Sequence, residues 1–328
     1  MMMPTRLLPA LVLSLIANFT GCTGGGAADP QTSAVDPASL CVASACGTKT
    51  QLLDIPSAEN TLFTPDGRLF VSGSDSVYEV TRDAGGWHAA ALADTKANFT
   101  GLAQRGDVIY AAAFDGNLYA ARLGDTPPSF KPIQALGIVS ANGVTTGADG
   151  ALYVVNGPLG GSLPAPKIIR LRFDPADPMK VTEQVDWLTT GLSFPNGLQR
   201  RGNTLLFSDS DAVTVTLGAI KAVDIQPDGS AGTPRTLGTF PSLPDDFGVV
   251  GDSVLAAFYS NGQIGLINAS GNLISQTDPL SFQNPSSVKL GRPPLFAPDD
   301  LVVTEKGLVV VPPTPGYGSK LSVFRRSH

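Results

Sequence analysis

Histidine, cysteine and charge are all scarce in this chain, and each scarcity closes a class of chemistry. The 328 residues include two histidines, His88 and His328. One lies in an expected outer strand and the other is the last residue, so neither a histidine dyad nor a zinc centre built on His and Cys is indicated. Of the three cysteines, Cys41 and Cys46 are separated by four residues. No His or further Cys lies near enough to complete a metal site around them. Lys, Arg, Asp and Glu make up only 15% of the chain, against about 25% in an average globular protein. The formal net charge is -6 and the only basic doublets are Arg200-Arg201 and Arg325-Arg326, which leaves no electrostatic footprint for nucleic acid. Also missing are a Gly-x-Ser-x-Gly elbow, a His-Glu-x-x-His pair and a Gly-x-x-x-x-Gly-Lys loop, so serine-based and nucleotide chemistry are disfavoured. No convincing amphipathic helix can be traced.

Glycine (36) and proline (27) are abundant instead, as suits a fold of many short strands and turns. The amino terminus reads as a signal peptide over 1–21: Arg6 supplies positive charge, an apolar stretch runs over 7–19, and a small-residue cluster follows. The stretch is too short to span a membrane. Phe19-Thr20-Gly21-Cys22 resembles the bacterial lipoprotein box, with Phe where Leu is usual. The expectation is export to the bacterial cell envelope, periplasm or outer surface, with a lipid anchor on Cys22 as the one membrane attachment; ordinary secretion is the alternative. Residues 22–48 then form a flexible tether carrying a Cys41–Cys46 disulfide, which an exporting compartment would preserve. The folded domain is expected over 49–328.

Along that domain a unit recurs: a turn bearing Asp, Asn or Gly, then a run of β-branched, aromatic and aliphatic residues. Its markers are Asp66, Asp107, Asp149, Asn203, Asp252 and Asp299, spaced by 41, 42, 54, 49 and 47 residues. Four-stranded propeller blades occupy about 40–50 residues, and each marker behaves as a hairpin turn between two apolar runs. Six copies predict an all-β, six-bladed β-propeller. A flat β-sandwich would not explain the repeat. Ring closure is expected to join a strand over 51–55 to a last blade with strands over 308–311 and 321–325.

Seven residues before five of the markers stand Glu59, Thr100, Asn142, Asn196 and Asp245; the sixth equivalent, Ser286, is thirteen before Asp299 because of an insertion that starts at Gly291. Two positions further on, Thr61, Leu102, Val144, Leu198, Phe247 and Val288 make a mostly apolar column. In a propeller the innermost strands line the axis, so one shared register predicts one ring at one depth. Glu59, Asn142, Asn196 and Asp245 offer two carboxylates and two amide carbonyls, a hard oxygen set suited to Ca²⁺. Mg²⁺, Mn²⁺ and Zn²⁺ are the other candidates. Two carboxylates on a narrow axis call for a counter-charge. Taken singly each residue has a plainer reading: Asn142 and Asn196 both precede Gly, a common turn pair, Asp245 could cap a turn, and Glu59 could be a solvated strand-end charge.

The repeats, with Phe194-Pro-Asn196-Gly-Leu and Leu243-Pro-Asp245-Asp246-Phe, resemble the senescence marker protein and gluconolactonase (regucalcin-like) family over about 59–325. More distantly the chain is similar to diisopropyl fluorophosphatase and the paraoxonases. The resemblance implies a divalent ion held by one Glu, two Asn and one Asp, matched here by Glu59, Asn142, Asn196 and Asp245, with Asp245 also the catalytic base or nucleophile. It departs at Ser140, where the sugar lactonases usually carry Arg.

The expected activity is metal-dependent hydrolysis of a small-molecule lactone or ester by a monomer. Thr100, Ser140, Asp246, Ser286 and Tyr317 are candidate pocket residues. The loop over 156–167 is expected to form a lid or substrate wall, and the segments 208–214 and 312–318 the other sides. Alternation along a strand would instead turn Asp246 outward. A non-catalytic envelope propeller that binds a ligand or partner and uses the ion as a brace is the competing function.

Overall fold

The computed structural model describes residues 35–157, 165–211, 216–309 and 315–327. Six four-stranded antiparallel sheets follow one another, with two single-turn 3-10 helices the only helical segments among the described residues. The innermost strands are Thr61–Phe63, Phe99–Arg105, Ala141–Thr146, Phe194–Arg201, Pro244–Val250 and Pro285–Leu290. Each touches the next and the sixth touches the first, so the chain is a closed six-bladed β-propeller. No helix among the described residues is long and apolar enough to cross a membrane.

The repeat marks what it was read to mark. Each inner strand runs down the axis to the turn at its marker residue, where Gly150, for one, sits at φ +75° between the paired strands of blade three. The core is divided into six apolar wedges, one between each pair of neighbouring blades. The column two residues beyond the ring enters five of them: Leu102, Val144, Leu198, Phe247 and Val288 are all buried. The insertion in the sixth unit has a packing role. Gly291 N–H donates to Asp300 O at 2.7 Å, and the enclosed Phe296 stacks on Trp87 at 5.0 Å and meets Phe63 edge-on at 5.8 Å.

Ring closure differs from expectation in detail. The fourth, outermost strand of the last sheet is Gly47–Asp54, paired antiparallel with Lys320–Arg326. The second strand of that sheet is Leu301–Glu305 rather than 308–311. Leu308 and Val309 lie outside any strand, and 310–311 fall outside the described residues.

The stretch expected to be a tether over 22–48 is folded from its middle onward. Leu40, Cys41 and Val42 are buried in the wedge between blades five and six, against Val250, Leu255, Ile264, Phe282 and Phe324. The sequence signal was present in the apolar run Leu40-Cys41-Val42, and burying it offsets the entropy of ordering the chain. The sulfurs of Cys41 and Cys46 are bonded. The expected signal peptide over 1–21 and the expected lipid site Cys22 lie outside the described residues.

The inner strands approach so closely that side chains are excluded between them. A Cβ on Gly143 would lie 2.5 Å from Asn196 O and from Leu198 N, both backbone atoms. Gly143→Ala is therefore expected to destabilise the protein by about 1–3 kcal/mol through overpacking. In thermal unfolding the loss should stand out against Gly124→Ala, where a Cβ meets nothing within 4 Å.

Candidate functional site

Five of the six ring positions sit where the inner strands break register, and Glu59 lies just before the regular strand Thr61–Phe63. Shifts fall between Phe99/Leu102, Ala141/Val144, Pro195/Leu198, Pro244/Phe247 and Pro285/Ser287. Such a bulge leaves residues without a cross-strand partner and re-aims their side chains. The Asn142-Gly143 and Asn196-Gly197 pairs are thus not hairpin turns. Their asparagines lie on bulged inner strands, and their glycines are there because the next blade is too near for a side chain.

Four ring residues, Glu59, Asn142, Asn196 and Asp245, line one cavity of about 510 Å³, together with Ser140. Its walls are apolar: Phe114, Phe194, Leu243, Pro244, Leu308 and Val309. That volume is within the range typical of small-molecule sites. Gly157 and Ser210, from two of the expected loop walls, also reach it; 158–164 and 212–214 lie outside the described residues.

The other candidates are placed elsewhere. Thr100 and Tyr317 line a neighbouring cavity of about 680 Å³. Within it the Thr100 hydroxyl donates to Ala141 O at 2.8 Å, and the Tyr317 hydroxyl donates to Asn284 Oδ1 at 2.9 Å. Ser286 is fully buried and spends its hydroxyl on Ala58 O at 2.9 Å. Asp246 is neither a cavity residue nor an outward-facing charge. It points into the axis below the ring, accepting from Asn60 Nδ2 at 2.7 Å, Gln199 Nε2 at 3.0 Å and Lys289 Nζ at 2.9 Å. The bulge between Pro244 and Phe247 breaks the alternation that would have turned it outward.

Electrostatics concentrate on Asp245. Burial and the neighbouring Glu59 carboxylate hold its carboxyl well above the ordinary range, opposed by Lys306 and by a hydrogen bond from Asn196. Asn196 Oδ1 and Asp245 Oδ1 are buried without a hydrogen-bond partner, a condition that costs about 1–3 kcal/mol for each such group. Two open oxygens on adjacent blades, beside another carboxylate and another amide, form a donor set that fits a hard divalent ion. The set contains only two carboxylates, which agrees with the absence, among the described residues, of any cluster of three or more His, Cys, Asp or Glu side chains.

Two polar cavity residues were not anticipated. Lys306 Nζ is ion-paired to Glu59 Oε2 and lies 5.7 Å from the centre of the Phe114 ring. The two ring carboxylates therefore already have one cation of the protein's own, and the expectation that their counter-charge must be a metal is too simple. With Asp245 ionised the group still carries one net negative charge. Tyr259 is the second. Its hydroxyl donates to Gly307 O at 2.7 Å, and burial beside Asp245 pushes the phenol up. Neither residue occupies a ring position, so the offset that found the ring is silent about both.

No protein-family model and no curated protein matches the chain. Solved structures do match its fold. A gluconolactonase from Xanthomonas campestris is similar with a TM-score of 0.63 and 17% identity, covering 92% of this chain and 96% of that one. A calcium-binding protein, regucalcin, from Agrobacterium tumefaciens is similar with a TM-score of 0.62 and 15% identity over 85% and 92% of the two chains. A chain of a nidogen/laminin complex gives 0.55 and 16% over 72% and 84%. At these identities the likeness is one of fold, and the same architecture serves an enzyme and a component of a protein complex.

Proposed function

We propose that this propeller is a divalent-metal-dependent hydrolase of a lactone or ester, exported to the bacterial cell envelope and held there by lipid on Cys22. The observation that carries the catalytic reading is the pair of unpartnered buried oxygens on Asn196 and Asp245 at the base of a cavity they share with Glu59 and Asn142. These four residues would hold the ion, Ca²⁺ by preference for an all-oxygen set. What such an ion supplies when bound is polarisation of the substrate carbonyl and an offset for charge growing on its oxygen.

The chain's own residues account for the rest. Asp245, its carboxyl raised toward the range in which a carboxylate is an effective base, accepts a proton from the attacking water. The same proton is returned to the leaving oxygen as the acyl C–O bond breaks. Asn196 orients that carboxyl through its hydrogen bond. The Ser140 hydroxyl, buried without a partner, is available to the substrate. The apolar walls exclude bulk water and strengthen every polar contact at the base.

Lys306 favours a second reading. Because it already neutralises Glu59, the ring can persist as a braced axis in a propeller that binds a ligand or partner without turning it over. Elemental analysis and hydrolysis of a lactone and ester panel, with and without chelator, separate the two. A stoichiometric metal and a chelator-sensitive activity are the expected result. A metal-loaded but inert protein would establish the binder instead.

A further inference from the structure

The cavity over Asp245 is sharply divided. Its lining divides into charged and amide groups, Glu59, Asp245, Lys306, Asn142 and Asn196, and the rings and aliphatic side chains of Phe114, Phe194, Leu243, Pro244, Leu308 and Val309. The polar side chains not belonging to the ring offer little to a ligand. Tyr259 has its hydroxyl on Gly307 O, and Lys306 has its ammonium on Glu59. Besides these, Ser140 and Ser210 are the polar side chains of the lining outside the ring, among the described residues. A polyhydroxylated ring entering this space would surrender water from each hydroxyl and find almost no partner on the walls. An alkyl or aryl group would surrender only water that apolar surface holds poorly.

The mouth carries the same signature. Leu308 and Val309 are 49% and 70% exposed, two of the few large apolar residues left open to solvent among the described residues. Both also line the neighbouring cavity, as does Phe114, so these three residues form an apolar surface shared by the two cavities. Exposed apolar surface that joins a cavity marks a place where a ligand completes the burial.

We infer that the ligand of this site is an apolar lactone or ester, with its carbonyl at the polar base and an alkyl or aryl substituent along the wall formed by Phe114, Leu308 and Val309, rather than a sugar-acid lactone. The inference rests on the hydrolase reading for its chemistry but on the walls alone for its specificity.

A series of δ-lactones with lengthening alkyl chains tests it against glucono-δ-lactone, which has the same ring covered in hydroxyls. The δ-lactams of the same chains serve as ligands that resist hydrolysis, with binding followed by calorimetry. The expected result is a kcat/KM that rises about fourfold with each methylene until the wall is filled, the equivalent of about 0.8 kcal/mol apiece. Glucono-δ-lactone should be poorer by at least about tenfold. Leu308→Ser and Val309→Ser, at exposed positions where folding should tolerate the change, should flatten the series. Hydrolysis that ignores chain length, or prefers glucono-δ-lactone, overturns the specificity and leaves the hydrolase standing. Lactams that bind more tightly with chain length, while no lactone is turned over, overturn the hydrolase and leave the apolar site. Neither hydrolysis nor binding would overturn both.

Discussion

Asp246→Asn is expected to cost the folded protein about 3–5 kcal/mol at neutral pH, because it strands the Lys289 ammonium inside the axis. Lys289 and Asp246 have side chains only 2% and 5% exposed and meet at 2.9 Å, with Asn60 and Gln199 completing the shell around the carboxylate. Burial already lowers the Lys289 pKa and Asp246 opposes that fall; without the carboxylate the fall goes unopposed. The sign of the pH response follows. A lysine depressed in the folded state leaves the unfolded chain binding the extra proton, so stability rises with pH from the depressed value toward the ordinary one near about 10.4. Asp246→Asn should therefore regain stability on the alkaline side, from a lower pH than the parent. Combining it with Lys289→Met removes the stranded charge and should recover most of the loss. A double-mutant cycle in urea measures the coupling, and additive single effects would show that the pair does not brace the axis.

The second large effect is a trade of activity for stability at Asp245. Asp245→Asn is expected to lower kcat/KM by about 10²–10⁴, the usual contribution of a general base. With chelator present it should at the same time stabilise the fold by about 1–2 kcal/mol, as relief of a strained functional group commonly does. The cause is the raised carboxyl. In the window between the ordinary Asp value of about 3.9 and that raised value, the folded chain holds a proton that the unfolded chain has released, so parent stability falls as pH rises. The asparagine variant has no such proton and should show no such fall. Parallel melts from acid to neutral pH read the difference directly; curves that remain parallel would contradict it.

Much of this was legible because a propeller writes its geometry as a period. Turn residues need Gly, Asn or Asp, inner strands need apolar runs, and a constant offset between the two projects onto a constant depth. That is how Glu59, Asn142, Asn196 and Asp245 could be picked out together and why they line one cavity. The offset says nothing about local departures from strand geometry. Neither reading of Asp246, as a pocket residue or as an outward charge, allows for a bulge that turns two successive aspartates inward. Lys289 stood in plain view as a charge inside Val288-Lys289-Leu290, on a strand otherwise buried. Its partner could not be named without knowing that Asp246 faced it. Lys306 lies just past the end of Leu301–Glu305, where neither strand period nor ring offset applies.

The way the circle is fastened also sets the end at which the described amino-terminal segment meets the last sheet. Gly47 pairs with Arg326, and Asp54 with Lys320 near the cavities, so the polypeptide enters the last sheet from the end remote from the mouth. Pro37, beside the marker-end turn at Gly251, lies toward that same end. That end is the one opposite the cavity lined by Asp54 and Lys320. Leu40, Cys41 and Val42, wedged between blades five and six, thus hold the chain's entry at the far face and leave the approach to the cavities clear of it.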